Sequence, residues 1–126
     1  MGYRSNVRIR TTKKGLETME KSIEKYIKEN IEEEKLKGYD YNLLNSAEKT
    51  ETDKSITLDW EYVKWYEDID GYEDVDAIMY SLDMLEEEDI DYQYMRIGEE
   101  IDDIDERWCI NNDSFDGFYI RRTFGG

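Results

Sequence analysis

From Asn6 to Thr11 polar and apolar residues alternate, with Val7 and Ile9 on one side and Arg8 and Arg10 on the other. A period of two is the pattern of a half-buried strand. The spacing then lengthens. Leu16, Met19, Ile23, Tyr26, Ile27 and Ile31 recur every three or four residues, the stripe of an amphipathic helix. Thr11 or Thr12 can cap it, and Glu17/Lys21 and Glu24/Lys28 form favourable i,i+4 pairs on its exposed face. The pattern predicts a helix over about 13–36 that stops near Gly38, a glycine suited to the C′ position.

Residues 39–46 (YDYNLLNS) read as a connection. Glu48 to Thr52 and Ser55 to Trp65 then read as two strands, joined at Asp53-Lys54, where the glycine that hairpin turns prefer is absent. In the second strand Ile56, Leu58, Trp60 and Tyr62 share a face. Val63 and Trp65 are apolar on the other, so the phase slips and a bulge or strand end is expected there. After a loop over 67–73, Asp74 can cap a helix carrying Val75, Ile78, Met79, Leu82 and Leu85 in helical register. Asp91 to Gly98 alternates again, with Met95 and Ile97 opposite Tyr92, Tyr94 and Arg96. An acidic turn over 99–106 follows, and Arg107 to Ile110 and Phe118 to Phe124 are the last two candidate strands.

The order is β-α-β-β-α-β with a C-terminal hairpin. It predicts an α+β fold of ferredoxin-like βαββαβ order, with an antiparallel-rich sheet and two helices on one face.

Composition sharpens this picture. At 126 residues the chain is the size of one domain, 1–126, large enough to bury a core without disulfides or metal. Hydrophobic residues make up 38% and charged residues 40%. Scattered, that mixture would point to disorder, but the apolar positions are periodic, and 11 tyrosines, 3 tryptophans and 3 phenylalanines give the core bulk.

The absence of histidine removes Ser/His and Cys/His nucleophile pairs, imidazole metal ligands and the side chain that ordinarily titrates near neutrality. With one cysteine, Cys109, neither an intramolecular disulfide nor a Cys-x-x-Cys zinc site can form. Flanked by Trp108 and Ile110, Cys109 reads as a buried structural thiol. MGYRSNVRIR lacks the apolar core of a secretion signal and no stretch approaches 18 apolar residues, so neither secretion nor membrane spanning is expected, and the cytoplasm is the expected compartment.

The net charge of −16 is regional. Residues 1–54 carry 12 bases and 11 acids, net +1. Residues 59–106 carry 20 acids against Lys64 and Arg96, net −18. This acidity lies across segments with clear periodicity, so it is a face on a fold rather than a disordered tail.

Several constellations bear on chemistry. Asp68-Ile69-Asp70-Gly71 evokes a calcium loop, but the alignment puts Tyr66 at position 1 and Ala77 at position 12, where ligands are essential. Glu99, Glu100, Asp102, Asp103, Asp105 and Glu106 could hold a divalent cation with Asp91 or supply a carboxylate pair. Acids this dense on a turn mostly face water instead. Arg8, Arg10, Arg96 and Arg121 fall on alternating strand positions and, with Tyr92, Tyr94 and Tyr119, would form an Arg/Tyr sheet face suited to a phosphate-bearing nucleotide. The plainer reading is that these arginines balance acids across strands. Dense carboxylates on a rigid fold also resemble the charge spacing of nucleic acid, roughly one per ~1.7 Å of duplex, and steer toward basic grooves. Nucleic acid itself would be repelled.

Met1-Gly2-Tyr3-Arg4-Ser5-x-Val7, Val63-Lys64-Trp65-Tyr66 followed by Val75-Asp76-Ala77-Ile78-Met79, and Arg96-Ile97-Gly98-Glu99 with Asp102-Asp103 carry a resemblance. The chain resembles small proteins of bacteriophages and prophages that open with MGYRS and contain WY and RIGE elements. The resemblance implies an anti-defence role, anti-CRISPR proteins being the best-known case of small acidic phage proteins that inhibit host nucleases. No catalytic residue carries over from it.

Residues and resemblance together lead to the expectation of a non-enzymatic inhibitor, with no cofactor and no metal, acting in the host cytoplasm. Its partner is a basic nucleic-acid-binding protein or defence complex of the host, and neither nucleic acid nor membrane. The contact residues are Glu67, Asp68, Asp70, Glu73, Asp74, Glu86, Glu87, Glu88, Asp102 and Asp103, with Trp65 and Tyr72 as aromatic anchors. The alternative is a nucleotide-binding or sequestering protein that uses the Arg/Tyr sheet face.

Overall fold

The computed structural model describes residues 4–66, 73–100 and 102–115. Strand β1 (Ser5–Thr11) turns Ser5, Val7, Ile9 and Thr11 inward and alternates with half-buried Asn6, Arg8 and Arg10. Thr12 caps helix α1 (Lys13–Asn30), its hydroxyl accepting the Gly15 N–H at 3.0 Å. Gly15 is required by packing. A Cβ there would lie 1.9 Å from Thr11 Oγ1, so its absence lets the first turn of α1 sit against the end of β1.

Helix α1 stops at Asn30, short of the expected 36. Ile31 is extended and buried, and the Asn30 side-chain amide donates to the Tyr26 carbonyl at 2.9 Å. The chain then starts a separate turn, α2 (Glu33–Leu36). Electrostatics favours the break, because a continuous helix would place Glu32–Glu34 near its negative C-terminal end. As built, Glu33 and Glu34 fall in the first turn of α2, where the dipole favours acids.

The connection contains a short 3₁₀ turn over Leu43–Asn45 whose Leu44 is buried, and Trp60 Nε1 donates to the Leu43 carbonyl at 3.0 Å. Strands β2 (Glu48–Glu51) and β3 (Ile56–Val63) form the expected hairpin without a glycine. Thr52 takes over its role, its hydroxyl accepting from the N–H groups of Lys54 and Ser55 at 3.3 and 3.1 Å.

The expected phase slip in β3 is present. The β1–β3 register shifts between Val7↔Trp60 and Ser5↔Val63, and Tyr62 has φ 51° with its N–H bonded to Asn6 Oδ1 at 2.8 Å. The bulge corrects one assignment. Tyr62 does not share the inward face of Ile56, Leu58 and Trp60 but is turned outward at 60% exposure.

Helix α3 (Glu73–Glu87) buries Val75, Ile78, Leu82 and Leu85 as the register predicts. It begins one residue before Asp74, so Asp74 is part of its first turn and not the cap. Strands β4 (Tyr92–Ile97) and β5 (Ile104–Cys109) form the final described hairpin. The turn between them is shorter than the expected 99–106. Gly98 N–H donates to the Asp103 carbonyl at 2.8 Å, and Ile104 to Glu106 already belong to β5. Phe118 to Phe124 lies outside the described residues.

The strands order as β2-β3-β1-β4-β5, with every neighbouring pair antiparallel. This is the order of a ferredoxin-like βαββαβ unit with β5 added beside β4. Helices α1 and α3 pack together on one face, closing a core of Val7, Ile9, Met19, Ile23, Leu58, Trp60, Ile78, Leu82, Tyr92 and Tyr94.

Candidate functional site

Strand register decides which charged residues can act together. Residues directly opposite in antiparallel strands share a face. Val7↔Arg96, Ile9↔Tyr94 and Thr11↔Tyr92 therefore put Arg96, Tyr94 and Tyr92 on the helix-covered side, whereas Arg8↔Met95 and Arg10↔Gln93 put both N-terminal arginines on the other. The expected Arg/Tyr face is thus split between the two sides of the sheet. Alternation within each strand was legible, but the inter-strand register that sets their relative phase was not. Arg8 pairs with Asp59 at 2.6 Å, and Arg10 Nε donates to Thr57 Oγ1 at 2.9 Å. Tyr119 and Arg121 lie outside the described residues.

Among the described residues β5 is the last strand of the sheet, and carboxylates from it, the turn before it and the end of α3 gather around this edge. At one end Arg96 is gripped by Asp103 and Asp105, each at 2.6 Å, and by Ser5 Oγ at 3.1 Å. Burial works against the guanidinium charge, and the bonds from Asp103 and Asp105 more than offset it, raising the Arg96 pKa above its ordinary value. Toward the other end, on the helix side, Arg107 binds Asp83 and Glu86, and the Tyr92 hydroxyl donates to Glu86 at 2.7 Å. These two bonds hold the Glu86 carboxyl below the usual carboxylate range. Buried Asp91 accepts the N–H groups of Asn111, Asn112 and Ser114, which ties the chain leaving β5 to the start of β4.

After these pairings much of the acidity still faces water. From Asp83 to Asp113 the sequence has thirteen acids against Arg96 and Arg107, net −11. Glu87, Glu88, Asp89, Glu99, Glu100, Asp102, Glu106 and Asp113 are exposed, as are Asp83 and Asp105, which bind Arg107 and Arg96. Strand β5 spans about 17 Å at ~3.4 Å per residue, a length over which duplex DNA carries about ten phosphates. Strand β5 itself carries two of these acids, Asp105 and Glu106, and the others flank it on the end of α3 and in the adjoining turns.

The expected contact residues divide accordingly. Glu87, Glu88 and Asp102 are exposed, while Glu86 and Asp103 are bound to arginines. Glu73 is half-buried at the other end of α3 from Glu87, and Asp74 is buried, accepting the Tyr39 hydroxyl at 2.6 Å. Trp65 is no surface anchor. It is 5% exposed, packed against Trp60 with ring centroids 5.2 Å apart. Glu67, Asp68, Asp70 and Tyr72 lie outside the described residues.

Sequence reasoning missed Trp108, which is 61% exposed and shares its β5 face with Glu106 and Ile104. Its i,i+2 alternation with Glu106 was the available signal, masked by reading the segment before 107 as a turn. Cys109 is half-buried, and burial together with Glu86, Asp89 and Asp91 raises its thiol pKa, disfavouring the reactive thiolate.

Among the described residues no cluster of carboxylate and thiol side chains could hold a metal ion, and no helix is long and apolar enough to cross a membrane. No protein-family model, curated protein or solved structure matches the chain.

Proposed function

We propose that this protein is a non-enzymatic, phage-type inhibitor that occupies a basic nucleic-acid groove on a host defence nuclease, in the host cytoplasm, with its β5 edge replacing a phosphate backbone. The observation that carries this reading is the carboxylate density along the edge. Both arginines of the 83–113 stretch are consumed by neighbouring acids, Asp83 and Asp105 among them, and eight further exposed carboxylates are spread over the end of α3, the β4–β5 turn, β5 and the chain leaving it. Trp108 supplies the aromatic contact that Trp65, being buried, cannot.

Charge of one sign on a rigid strand steers association and makes it salt-dependent. The test is inhibition of a panel of bacterial nucleic-acid-guided and restriction nucleases, read at low and high salt. Reversing four edge charges (Glu87→Lys, Glu88→Lys, Asp102→Lys and Glu106→Lys) should abolish inhibition of whichever nuclease the native chain blocks. Retained inhibition by the folded variant would sink the proposal.

A further inference from the structure

A cleft of about 750 Å³ opens between the end of the β1–β3 pair, the connection after α2 and the first turn of α3. This volume lies within the range of small-molecule sites. Tyr39 and Tyr41 stand edge to face in the connection with centroids 4.7 Å apart. Tyr62 joins them because its positive φ, fixed by the Asn6 bond to its N–H, turns it away from the core side of β3. A non-glycine residue in this left-handed conformation is strained, and such strain clusters at ligand sites.

The cleft also carries cations. Arg4 lies 5.7 Å from the Tyr62 ring centroid, and Lys64 follows two residues later. Among the described residues neither forms an ion pair with a carboxylate. That contrasts with Arg8, Arg96 and Arg107, each held by acids. The Arg4 backbone N–H is itself anchored to Glu99 at 3.1 Å, which places its side chain at the cleft.

On the other wall Asp74, 5% exposed, lines the cleft as a hydrogen-bond acceptor. Its orientation is set by the Tyr39 hydroxyl at 2.6 Å and the Val75 N–H at 2.8 Å. Each carboxylate oxygen has a further lone pair for an incoming N–H. Aromatic rings, an acceptor and two cations in one cleft define a complementary ligand: a flat ring with N–H donors, joined to an anionic group. A nucleoside phosphate has that chemistry. A polynucleotide does not suit it, because its other phosphates would meet an acidic surface.

We propose that this cleft binds a nucleoside phosphate, with the base stacked among Tyr39, Tyr41 and Tyr62 and hydrogen-bonded to Asp74, and the phosphate held by Arg4 and Lys64. The site adjoins the β4–β5 turn through the Arg4–Glu99 bond, but it does not depend on the inhibitor reading. The two sources of the recognised chemistry, nucleotide and free phosphate, are distinguished by the ligands chosen.

The full chain is titrated calorimetrically and by thermal shift with AMP, GMP, ADP and GDP, and in parallel with inorganic phosphate, adenosine and guanosine. At least one nucleotide should raise the melting temperature by several degrees at saturation, with phosphate and nucleosides at least about tenfold weaker. Arg4→Ala, Lys64→Ala and Tyr41→Ala should each weaken that nucleotide by about tenfold, equivalent to ~1.4 kcal/mol. Should a variant fail to fold, amide shift mapping on the native chain decides, with perturbations expected at Arg4, Tyr39, Tyr41, Tyr62 and Lys64. The proposal is overturned if millimolar nucleotide leaves the melting temperature unmoved, if inorganic phosphate binds as tightly, or if the perturbed amides lie elsewhere.

Discussion

Replacing Asp91 tests how a single buried carboxylate organises the end of the described fold. Asp91 is 1% exposed and accepts the backbone N–H groups of Asn111, Asn112 and Ser114 at 2.9, 3.0 and 2.9 Å, and the Asn112 side-chain amide at 3.2 Å. Hydrogen bonds to a charged acceptor are worth about 1.5–3 kcal/mol each, and a donor left unsatisfied costs about 1–3 kcal/mol. The donors are partly buried and recover some water, so Asp91→Ala should cost about 3–4 kcal/mol. Asp91→Asn keeps the shape and one oxygen but loses the charge and turns an amide toward the donors, which should cost about 2 kcal/mol.

The pH dependence is a second readout of the same carboxylate. Burial raises the Asp91 pKa, and the three backbone N–H groups outweigh it, so the folded value lies below the ordinary one. A depressed pKa contributes stability that is complete well above the unfolded value near ~3.9 and is lost as pH falls below it. Urea unfolding of the native chain and Asp91→Asn at pH 7 and pH 3 measures this. Repulsion within a chain of charge −16 relaxes in acid for both proteins, so the difference between them is the quantity to follow. It should be near 2 kcal/mol at pH 7 and shrink by pH 3. A cost below about 1 kcal/mol for Asp91→Ala, or a difference indifferent to pH, would refute the reasoning.

Three other perturbations have defined outcomes. Gly15→Ala should destabilise by about 1–3 kcal/mol despite alanine's higher helix propensity, because the new methyl meets Thr11 Oγ1 at 1.9 Å; the urea midpoint should fall with an unchanged slope. The Tyr39 hydroxyl bond to Asp74, with burial and the Asp74 charge, pushes the Tyr39 phenol up to about 12; Tyr39→Phe should remove one late-titrating phenol from an ultraviolet alkaline titration, and any stability that bond contributes is present below pH ~10 and lost as pH rises toward 12. Arg96→Lys should cost about 1–2 kcal/mol, since an ammonium cannot bridge Asp103, Asp105 and Ser5 as the fork does, and the loss should persist in high salt because the arginine is largely buried.

Legibility varied with the range of the interaction involved. The periods of β1, α1, α3 and β4 come from residues within a few positions of one another, and each of these elements forms at its predicted place in the chain, although α1 ends at Asn30 and α3 includes Asp74. The β3 bulge was visible too, as a change of phase at Val63 and Trp65. The break at Ile31 was hidden because the apolar spacing runs through it; the local signals were Asn30, which competes for backbone bonds, and the Glu32–Glu34 run. The start of β5 was hidden by charge. Asp105 and Glu106 read as turn residues, although on an edge strand they are solvated and guard the edge against pairing.

What the residues determined by themselves is the element order, the apolar faces, the α+β class and the concentration of net negative charge in 59–106. These follow from composition and short-range periodicity. Tertiary structure alone decided which residues keep company. Register moved Tyr92, Tyr94 and Arg96 to the side opposite Arg8 and Arg10, packing buried Trp65 and exposed Trp108, and ion pairs withdrew Glu86 and Asp103 from the free acidic surface. The physical reason is that a strand's period of two says which residues share its own face, whereas a one-residue shift against a neighbour exchanges the faces wholesale. Only the paired sheet resolves that choice, and with it which residues line the acidic side of β5 and which line the cleft where Tyr39, Tyr41 and Tyr62 meet Arg4 and Lys64.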